Sequence, residues 1–404
     1  MSADALPPAT YRRLLTVPGF LPLMGSALLS RTANRLWEVG LVIYILQRFH
    51  SASLAGLTVF LSIAPGLALS PVTGALLDRY RRRLLIFGDN LLAAVALTWI
   101  GLLGLSGLLT PAWLLPIVSL SSLTFPLSAS GTRSLFPTVI PRDLWDLGNA
   151  VDSGSEGFSA VIGPALAGGF VALIGGAQTL VLSGGVFLLA ALAMLTVPEP
   201  PHVERGRREP LLRSALDGVR YVMRNRSLRA LAVTMSVGNL GFGQLVVILP
   251  VLVLQRFGGG AGMVGAMWAL QGAAGILSGV TVGRLGSVGR ERRVMVLGYA
   301  VMVCGLVVVA VPSFAALVVG MILCGLSIGP IDIALFSLRQ RRTDPAWFGR
   351  AFAVSMALNY AGMPVGSGIA GPIVSVSISL ALGVAAGLVL LGTALCFTIP
   401  RTVD

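Results

Sequence analysis

The sequence predicts an all-α membrane protein of twelve transmembrane helices, arranged as two six-helix bundles related by a pseudo-two-fold axis along the membrane normal. Three observations carry that prediction. The 404 residues are 55% hydrophobic and 11% charged, with mean hydropathy +0.88, which leaves too little polar surface to dress a water-soluble globule. Apolar stretches of about 20 residues, enough helix to cross roughly 30 Å of hydrocarbon, recur from end to end between short Gly, Pro or Arg clusters. The 29 basic residues are all Arg, against 16 acids, and they concentrate in alternate connections.

The segments run Pro18–Leu46, Ala55–Leu77, Leu84–Gly107, Trp113–Pro137, Leu147–Ile174, Gln178–Val197, Leu228–Leu254, Gly262–Gly283, Val294–Val311, Phe314–Leu338, Gly349–Ser375 and Ser377–Ile399. The first is too long for a signal-peptide core and follows Asp4 and Pro7-Pro8, so it is expected to stay as a helix. With both termini cytoplasmic, 25 Arg fall in inner termini and loops, Arg48 and Arg256 at outer helix ends, and Arg31 and Arg35 inside segment 1. That bias predicts a multi-pass protein of the inner, cytoplasmic membrane. It also accounts for the net charge of +13 without a nucleic-acid partner.

Catalysis is not expected. Cys304, Cys324 and Cys396 lie inside segments without metal-site spacing, and His50 and His202 are the only histidines. No nucleophile, base and acid constellation is present. The reading is therefore a non-enzyme, with no cofactor and no metal.

Residues 1–197 form the first predicted bundle, 198–227 a cytoplasmic linker and 228–404 the second bundle. The linker stands out by Pro198, Pro200, Pro201 and Pro210 and by nine Arg or His between His202 and Arg229. Its Leu211–Arg226 stretch has helical apolar periodicity with interspersed Arg, which suits an interfacial helix near anionic headgroups or a solvated surface helix. The halves repeat. Leu46-Gln47-Arg48-Phe49 recurs as Leu254-Gln255-Arg256-Phe257, Ala64-Pro65-Gly66 as Ala273-Ala274-Gly275, and Ile162-Gly163-Pro164 through Gly168 as Val365-Gly366-Ser367 through Gly371. The offsets stay between 203 and 209, the signature of a parallel six-plus-six repeat.

The loop from Gly74 to Arg83 holds Asp78, Arg79, Arg81, Arg82 and Arg83 in a chain otherwise poor in charge. Gly74, Asp78, Arg79, Arg82 and Arg83 resemble the signature between helices 2 and 3 of the major facilitator superfamily, with Arg81 where that pattern has Gly. The counterpart loop, Gly283 to Arg293, has Ser287 opposite Asp78, which predicts an asymmetric gate. Gly163-Pro164 with Gly168 is similar to the Gly-Pro motif of the family's drug:proton antiporters. Arg133 to Arg142 with Asn149, and Arg341-Arg342-Thr343-Asp344-Pro345, are similar to its macrolide-efflux and siderophore-exporter branch.

The resemblance implies a monomeric secondary transporter working by alternating access, a small-molecule substrate, and protons as the coupling partner. It also implies that Asp78 reaches the start of helix 11 near Gly349-Arg350 and latches the inner ends; the alternative is that the loop is merely a positive-inside topology determinant. Arg31, Asn34, Arg35, Trp37 and Glu38 in segment 1 must face the bundle interior, because charge facing lipid is costly. Arg31, Asn34, Arg35 and Glu38 lie on one stripe, and Arg35 can pair with Glu38. Asp152 and Glu156 share a face of segment 5. A carboxylate whose Arg partner changes between conformations is a proton switch, so Glu38, Asp152 and Glu156, with Arg31 and Arg35, are the coupling candidates. A static ion pair, or Asp152 merely charging a helix start, is the alternative.

Asp332 is the acid of the second-half segments, either a contact for substrate or proton or a structural partner of Arg339. Asp89 is expected to support the arginine loop. Gly163, Pro164, Gly168, Gly366 and Gly371 are expected to let helices 5 and 11 pack closely against helices 8 and 2. By analogy the cavity is lined by Asn34, Trp37, Tyr44, Phe125, Asn239, Phe242, Gln244, Asp332 and Phe336. Such apolar, aromatic walls suit hydrophobic or amphipathic drug-like compounds, hence multidrug efflux. A dedicated exporter of one metabolite, such as a siderophore or lysolipid, and a non-transporting membrane receptor are the competing readings.

Overall fold

The computed structural model describes residues 10–199, 211–287, 289–344 and 347–400, and among these every regular element is helical. Nine helical stretches there are long and apolar enough to cross a membrane. The first half comprises α1 (Tyr11–Leu15), α2 (Phe20–Phe49), α3 (Ala52–Ala68), α4 (Ser70–Arg79), α5 (Arg82–Leu105), α6 (Pro111–Ser122), α7 (Phe125–Val139), α8 (Trp145–Ile174) and α9 (Gly176–Leu195). After α10 (Leu211–Arg224) come α11 (Arg226–Val251), α12 (Ala261–Leu285), α13 (Glu291–Ala310), α14 (Phe314–Arg342), α15 (Phe348–Val376) and α16 (Ile378–Leu395).

Two predicted segments are broken. Segment 2 divides at Leu69 into α3 and α4, and segment 4 divides at Leu123-Thr124 into α6 and α7. Each new helix starts with a proline in its first turn, Pro71 and Pro126, where the missing N–H and the ring against the preceding turn cannot continue a ladder. The breaks are neighbours: a Cβ on Gly66 would strike the Ser122 carbonyl and come within 3.4 Å of Pro126 Cδ. Segment 7 also ends irregularly, with a π-helical turn over Leu252–Arg256 just after Pro250.

Short α1 was not anticipated. Its Leu14 is fully buried beside Phe20, Leu23, Ile86, Phe136 and Leu144, and Arg13 ion-pairs with Asp143 ahead of α8. This apolar knot closes the end of the first half that carries the arginine loop. In the second half, α10 docks through buried Val222 and stacks Tyr221 on Trp347, ring centroids 4.9 Å apart and interplanar angle 6°. The Tyr221 hydroxyl accepts from the Asp344 backbone amide at 3.0 Å, and Asn225 caps α11 by accepting from Leu228 N at 2.9 Å.

The halves meet along two helix pairs, α3 with α15 and α8 with α12. Both contacts are made by glycine. A Cβ on Gly56 would lie 2.5 Å from the Ser367 carbonyl oxygen, and one on Gly371 would lie 2.6 Å from Ser53 Cα. A Cβ on Gly168 would lie 2.5 Å from the Ala261 carbonyl oxygen and 2.8 Å from Gly265 Cα. Backbones this close gain dispersion contacts that any larger side chain would forfeit. Ser53 and Ser375 bring their hydroxyls to 3.4 Å across the same seam. The repeated Leu-Gln-Arg-Phe motifs converge between the ends of α2 and α11, Leu46, Gln47 and His50 sharing a small cavity with Val251, Leu254 and Gln255.

Two glycine expectations need correction. Gly163 faces α2 within its own half, where a Cβ would strike Arg35 Cβ and lie 3.3 Å from the Thr32 carbonyl oxygen. Gly366 likewise abuts the Leu240 backbone of α11. The next turns, Pro164–Gly168 and Gly368–Gly371, face the opposite half, because five residues advance a helix by about 500°, a net rotation of roughly 140°.

Candidate functional site

The charges of α2 and α8 form one network. The close approach that Gly163 permits brings the Arg31 stripe against Asp152, Ser155, Glu156 and Ser159. Arg31 Nη2 donates to Asp152 Oδ1 at 2.7 Å, Nη1 to the Asp152 carbonyl at 3.1 Å and to Ser155 Oγ, and Nε lies 3.0 Å from Glu156 Oε2. Arg35 places Nη1 3.5 Å from Glu38 Oε2 and Nη2 3.8 Å from Glu156 Oε1. Glu156 is thus shared between two guanidinium groups.

Burial grades this network. The side chains of Arg31 and Asp152 are 16% and 15% exposed, whereas Arg35 and Glu156 are 41% and 45% exposed. The Arg31–Asp152 pair is the enclosed anchor, and Glu156 with Arg35 is its water-facing edge. Thr32 and Ser159 share a 3.1 Å contact behind it, while Asn34 donates to the Ser30 carbonyl at 2.9 Å and accepts from Trp37 Nε1 at 3.2 Å.

The second half carries an uncharged counterpart. By the repeat offset, Arg31 corresponds to Asn239 and Glu156 to Asn359, and Asn239 Nδ2 donates to the Asn359 carbonyl at 2.9 Å. The pairing behind them is matched too. Ser30 donates to Asn90 at 2.9 Å between α2 and α5, and the corresponding Gly238 leaves room for Tyr299, whose hydroxyl donates to Met235 Sδ at 3.2 Å. The same helix contacts are kept, with side-chain ion pairs in one half and an Asn-to-backbone bond in the other.

Sequence reasoning missed the polar core of α14 and α15. Arg339 is fully buried, donates to Met356 Sδ at 2.8 Å and sits 5.7 Å from the Phe336 ring centroid. The Asn359 amide, oriented to satisfy its neighbours, donates to the Ser355 carbonyl at 3.0 Å and accepts from Arg339. The sequence offered Arg339 only as a structural partner of Asp332, and its enclosure by Met356 and Asn359 carried no mark there. Tyr360 was also missed. It is 49% exposed at mid-helix in α15.

Of the predicted cavity residues, Phe125 and Asp332 are exposed. Tyr44 is corrected. It is buried within its own half, where side chains at Gly104 and Gly176 would collide with its hydroxyl and ring. Gln244 is also corrected, being fully buried in the closed end of α11. Trp37 and Phe242 pack partly against the core.

At the arginine loop, the side chains of Gly74, Asp78, Gly349 and Arg350 lie outside the described residues. Arg79 is exposed. Arg82 donates to the Ser134 carbonyl at 2.7 Å, and Arg83 to the Val197 carbonyl at 3.1 Å, so both tie α5 to α7 and α9 of their own half. Glu199 was not foreseen: its carboxylate accepts from the Arg82 and Arg83 backbone amides at 2.7 and 3.3 Å, capping α5. Asp89 is buried toward Thr124 and Ser128 at the α6–α7 break instead of at the loop. In the counterpart loop Ser287 bonds Ser337 at 3.3 Å and Glu291 pairs with Arg341 at 3.4 Å.

Comparison with known proteins agrees with this architecture. The chain is 37% identical to an uncharacterized MFS-type transporter, y4rN, of Sinorhizobium fredii, over 94% of each chain. It is 27% identical to the multidrug efflux pump Tap of Mycobacterium tuberculosis, over 88% of this chain and 87% of that one. Its fold matches a crystal structure of a mutant nucleoside transporter NupG with TM-score 0.77 at 14% identity, over 94% of this chain and 99% of that one. The family profile described as Major Facilitator Superfamily matches residues 23–367. This multi-pass membrane protein therefore belongs to the Major Facilitator Superfamily, as a transporter and not an enzyme.

Proposed function

We propose that the protein exports hydrophobic or amphipathic small molecules by proton antiport through alternating access. In this reading it has twelve crossings: the nine long apolar helices, with α2, the α3–α4 pair and α15. Residues 1–197 and 228–404 are its two rocking bundles, joined by the 198–227 linker. With both termini cytoplasmic, the glycine seams at α3–α15 and α8–α12 seal the outer side, and the cavity opens inward.

The observation that carries the proposal is the sharing of Arg31 and Arg35 among Asp152, Glu156 and Glu38. A carboxylate held by two guanidinium groups and facing water can lose one partner when the bundles rock, and proton occupancy then follows conformation. Glu156 is placed for that role. Arg31–Asp152 anchors it, and Glu38 takes up Arg35 when Glu156 is protonated. Asp78, with Gly74, Arg79, Arg82 and Arg83, acts at the inner gate, and Arg82 and Arg83 stiffen its frame. The similarity to Tap supports export of drug-like compounds.

The test is flux of a dye panel in proteoliposomes under an imposed pH gradient. Uphill dye movement that collapses with the gradient, and that Glu156→Gln abolishes, is the expected result. Gradient-driven transport surviving neutralisation of both Glu38 and Glu156 would remove proton coupling from the reading.

A further inference from the structure

Helix α10 keeps an apolar face that nothing in the protein covers. It ends at Arg224 and the long apolar helix α11 begins at Arg226, so Asn225 alone joins them. Asn225 has extended backbone and caps α11, which turns α10 away from the α11 axis at the end of a membrane crossing. A helix tied there stays at the membrane surface.

The surface of α10 divides into three strips. At about 100° per residue, Gly218, Tyr221 and Val222 share one side, and these are the residues that dock: Gly218 and Val222 are buried, and Tyr221 stacks on Trp347. Leu216, Val219 and Met223 fall within about 60° of one another on a second side, and all three are exposed. Arg220 and Arg224, also exposed, lie between the two, and the start of α11 adds exposed Arg226 and Arg229, the latter donating to the Met223 carbonyl at 2.9 Å. Asp217, 3.8 Å from Arg220, is the acid of α10. A helix surrounded by water gains nothing from three apolar side chains in one strip, whereas a bilayer interface buries the strip and leaves flanking guanidinium groups at headgroup height. With Arg220, Arg224, Arg226 and Arg229 against Asp217, the complementary headgroup is anionic.

The helix also reaches across the halves. It lies against α11 and α15 of the second half and against α4 of the first, the helix that holds the start of the arginine loop. We propose that α10 is a clamp held by anionic phospholipid: Leu216, Val219 and Met223 embed in the inner leaflet, Arg220, Arg224, Arg226 and Arg229 take phosphate headgroups, and the bound lipid steadies the strut between α4 and α15. The inference rests on the cytoplasmic placement of this end proposed above and goes beyond the export reading, because it gives the bilayer a site on the protein.

The test uses the purified full chain in vesicles of phosphatidylcholine alone and of phosphatidylcholine mixed with phosphatidylglycerol. Spin labels on Leu216→Cys, Val219→Cys or Asp217→Cys, in a chain whose exposed Cys304 is changed to Ser, report collisions with oxygen against those with a water-soluble nickel chelate. The expected result is lipid-like accessibility for the labels replacing Leu216 and Val219 and water-like accessibility for the one replacing Asp217. Hydrogen exchange of the unlabelled chain should slow about tenfold or more in α10 when phosphatidylglycerol is present, and slow in α4 with it. Arg220→Gln joined to Arg224→Gln should remove that gain and leave exchange in phosphatidylcholine unchanged. Water-like accessibility of the Leu216 and Val219 labels identifies a solvated helix and overturns the proposal, as does equal exchange in the two lipids or a full lipid effect in the double variant. Protection of α10 with none in α4 overturns the clamp. Both leaflets carry the same lipid and no flux is read, so neither the orientation of the chain nor the export reading enters: failure here leaves export standing, and a chain that passes yet moves no dye loses export alone.

Discussion

Replacing Arg31 with Met tests whether the α2–α8 network is a switch or a staple. The substitution keeps an unbranched apolar stem but removes the guanidinium, and with it the 2.7 Å bond to Asp152, the 3.0 Å contact with Glu156 and the bond to the Asp152 carbonyl. Asp152, 15% exposed, is left without its cation, while Glu156 retains Arg35. Breaking a buried pair from one side costs about 3–5 kcal/mol. Residual solvent around both groups puts the expected loss near the lower end, about 3 kcal/mol, measured by equilibrium unfolding in mixed detergent micelles. Adding Asp152→Leu removes the stranded charge and should recover at least half of that loss, because an apolar pair of similar volume replaces the ions at little cost. Gradient-driven transport should stay absent in the double variant. A single variant destabilised by less than about 1 kcal/mol, or a double variant that transports like the wild type, would refute the reasoning.

Three further outcomes follow from the packing. Ser53→Cys with Ser375→Cys, whose hydroxyls stand 3.4 Å apart, should form a disulfide under mild oxidation and stop transport until reduced; adding Gly371→Val should prevent cross-linking, scored by gel mobility. Glu199→Ala should destabilise the first half by about 1–2 kcal/mol, seen as faster hydrogen exchange at the amides of Arg82 and Arg83, which Glu199 caps. Trp347→Ala removes the ring stacked on Tyr221 and should weaken α10 docking by about 1 kcal/mol, scored by faster protease cleavage beside α10.

Much of this was legible because membrane insertion constrains sequence so strongly. Long apolar runs, the Arg bias and the repeated motifs fixed the helices to within a few residues, and the stripe from Arg31 to Glu38 could only face inward. The Arg35–Glu38 pair was readable from its three-residue spacing; the sharing of Glu156 was not, because it depends on how closely Gly163 lets α8 approach α2. The breaks at Leu69 and Thr124 were signalled by Pro71 and Pro126, yet hydropathy averages pass straight over them. Tyr44 and Gln244 were assigned to the cavity by analogy, but they sit where neighbouring helices enclose them. Glu199 was opaque for another reason: its partners at the start of α5 are distant in the chain, and composition gives no account of who meets whom.

The replacement of Arg31 and Glu156 by Asn239 and Asn359 in the matching contact has an evolutionary corollary. Duplicated modules that both held live ionic machinery would each constrain the other's drift. Under the antiport proposed above, a second module without that ion network is free to diversify while the first keeps its charges. Chimeras that graft the second module of a relative onto this first one should therefore inherit the donor's preferences and keep the recipient's power source.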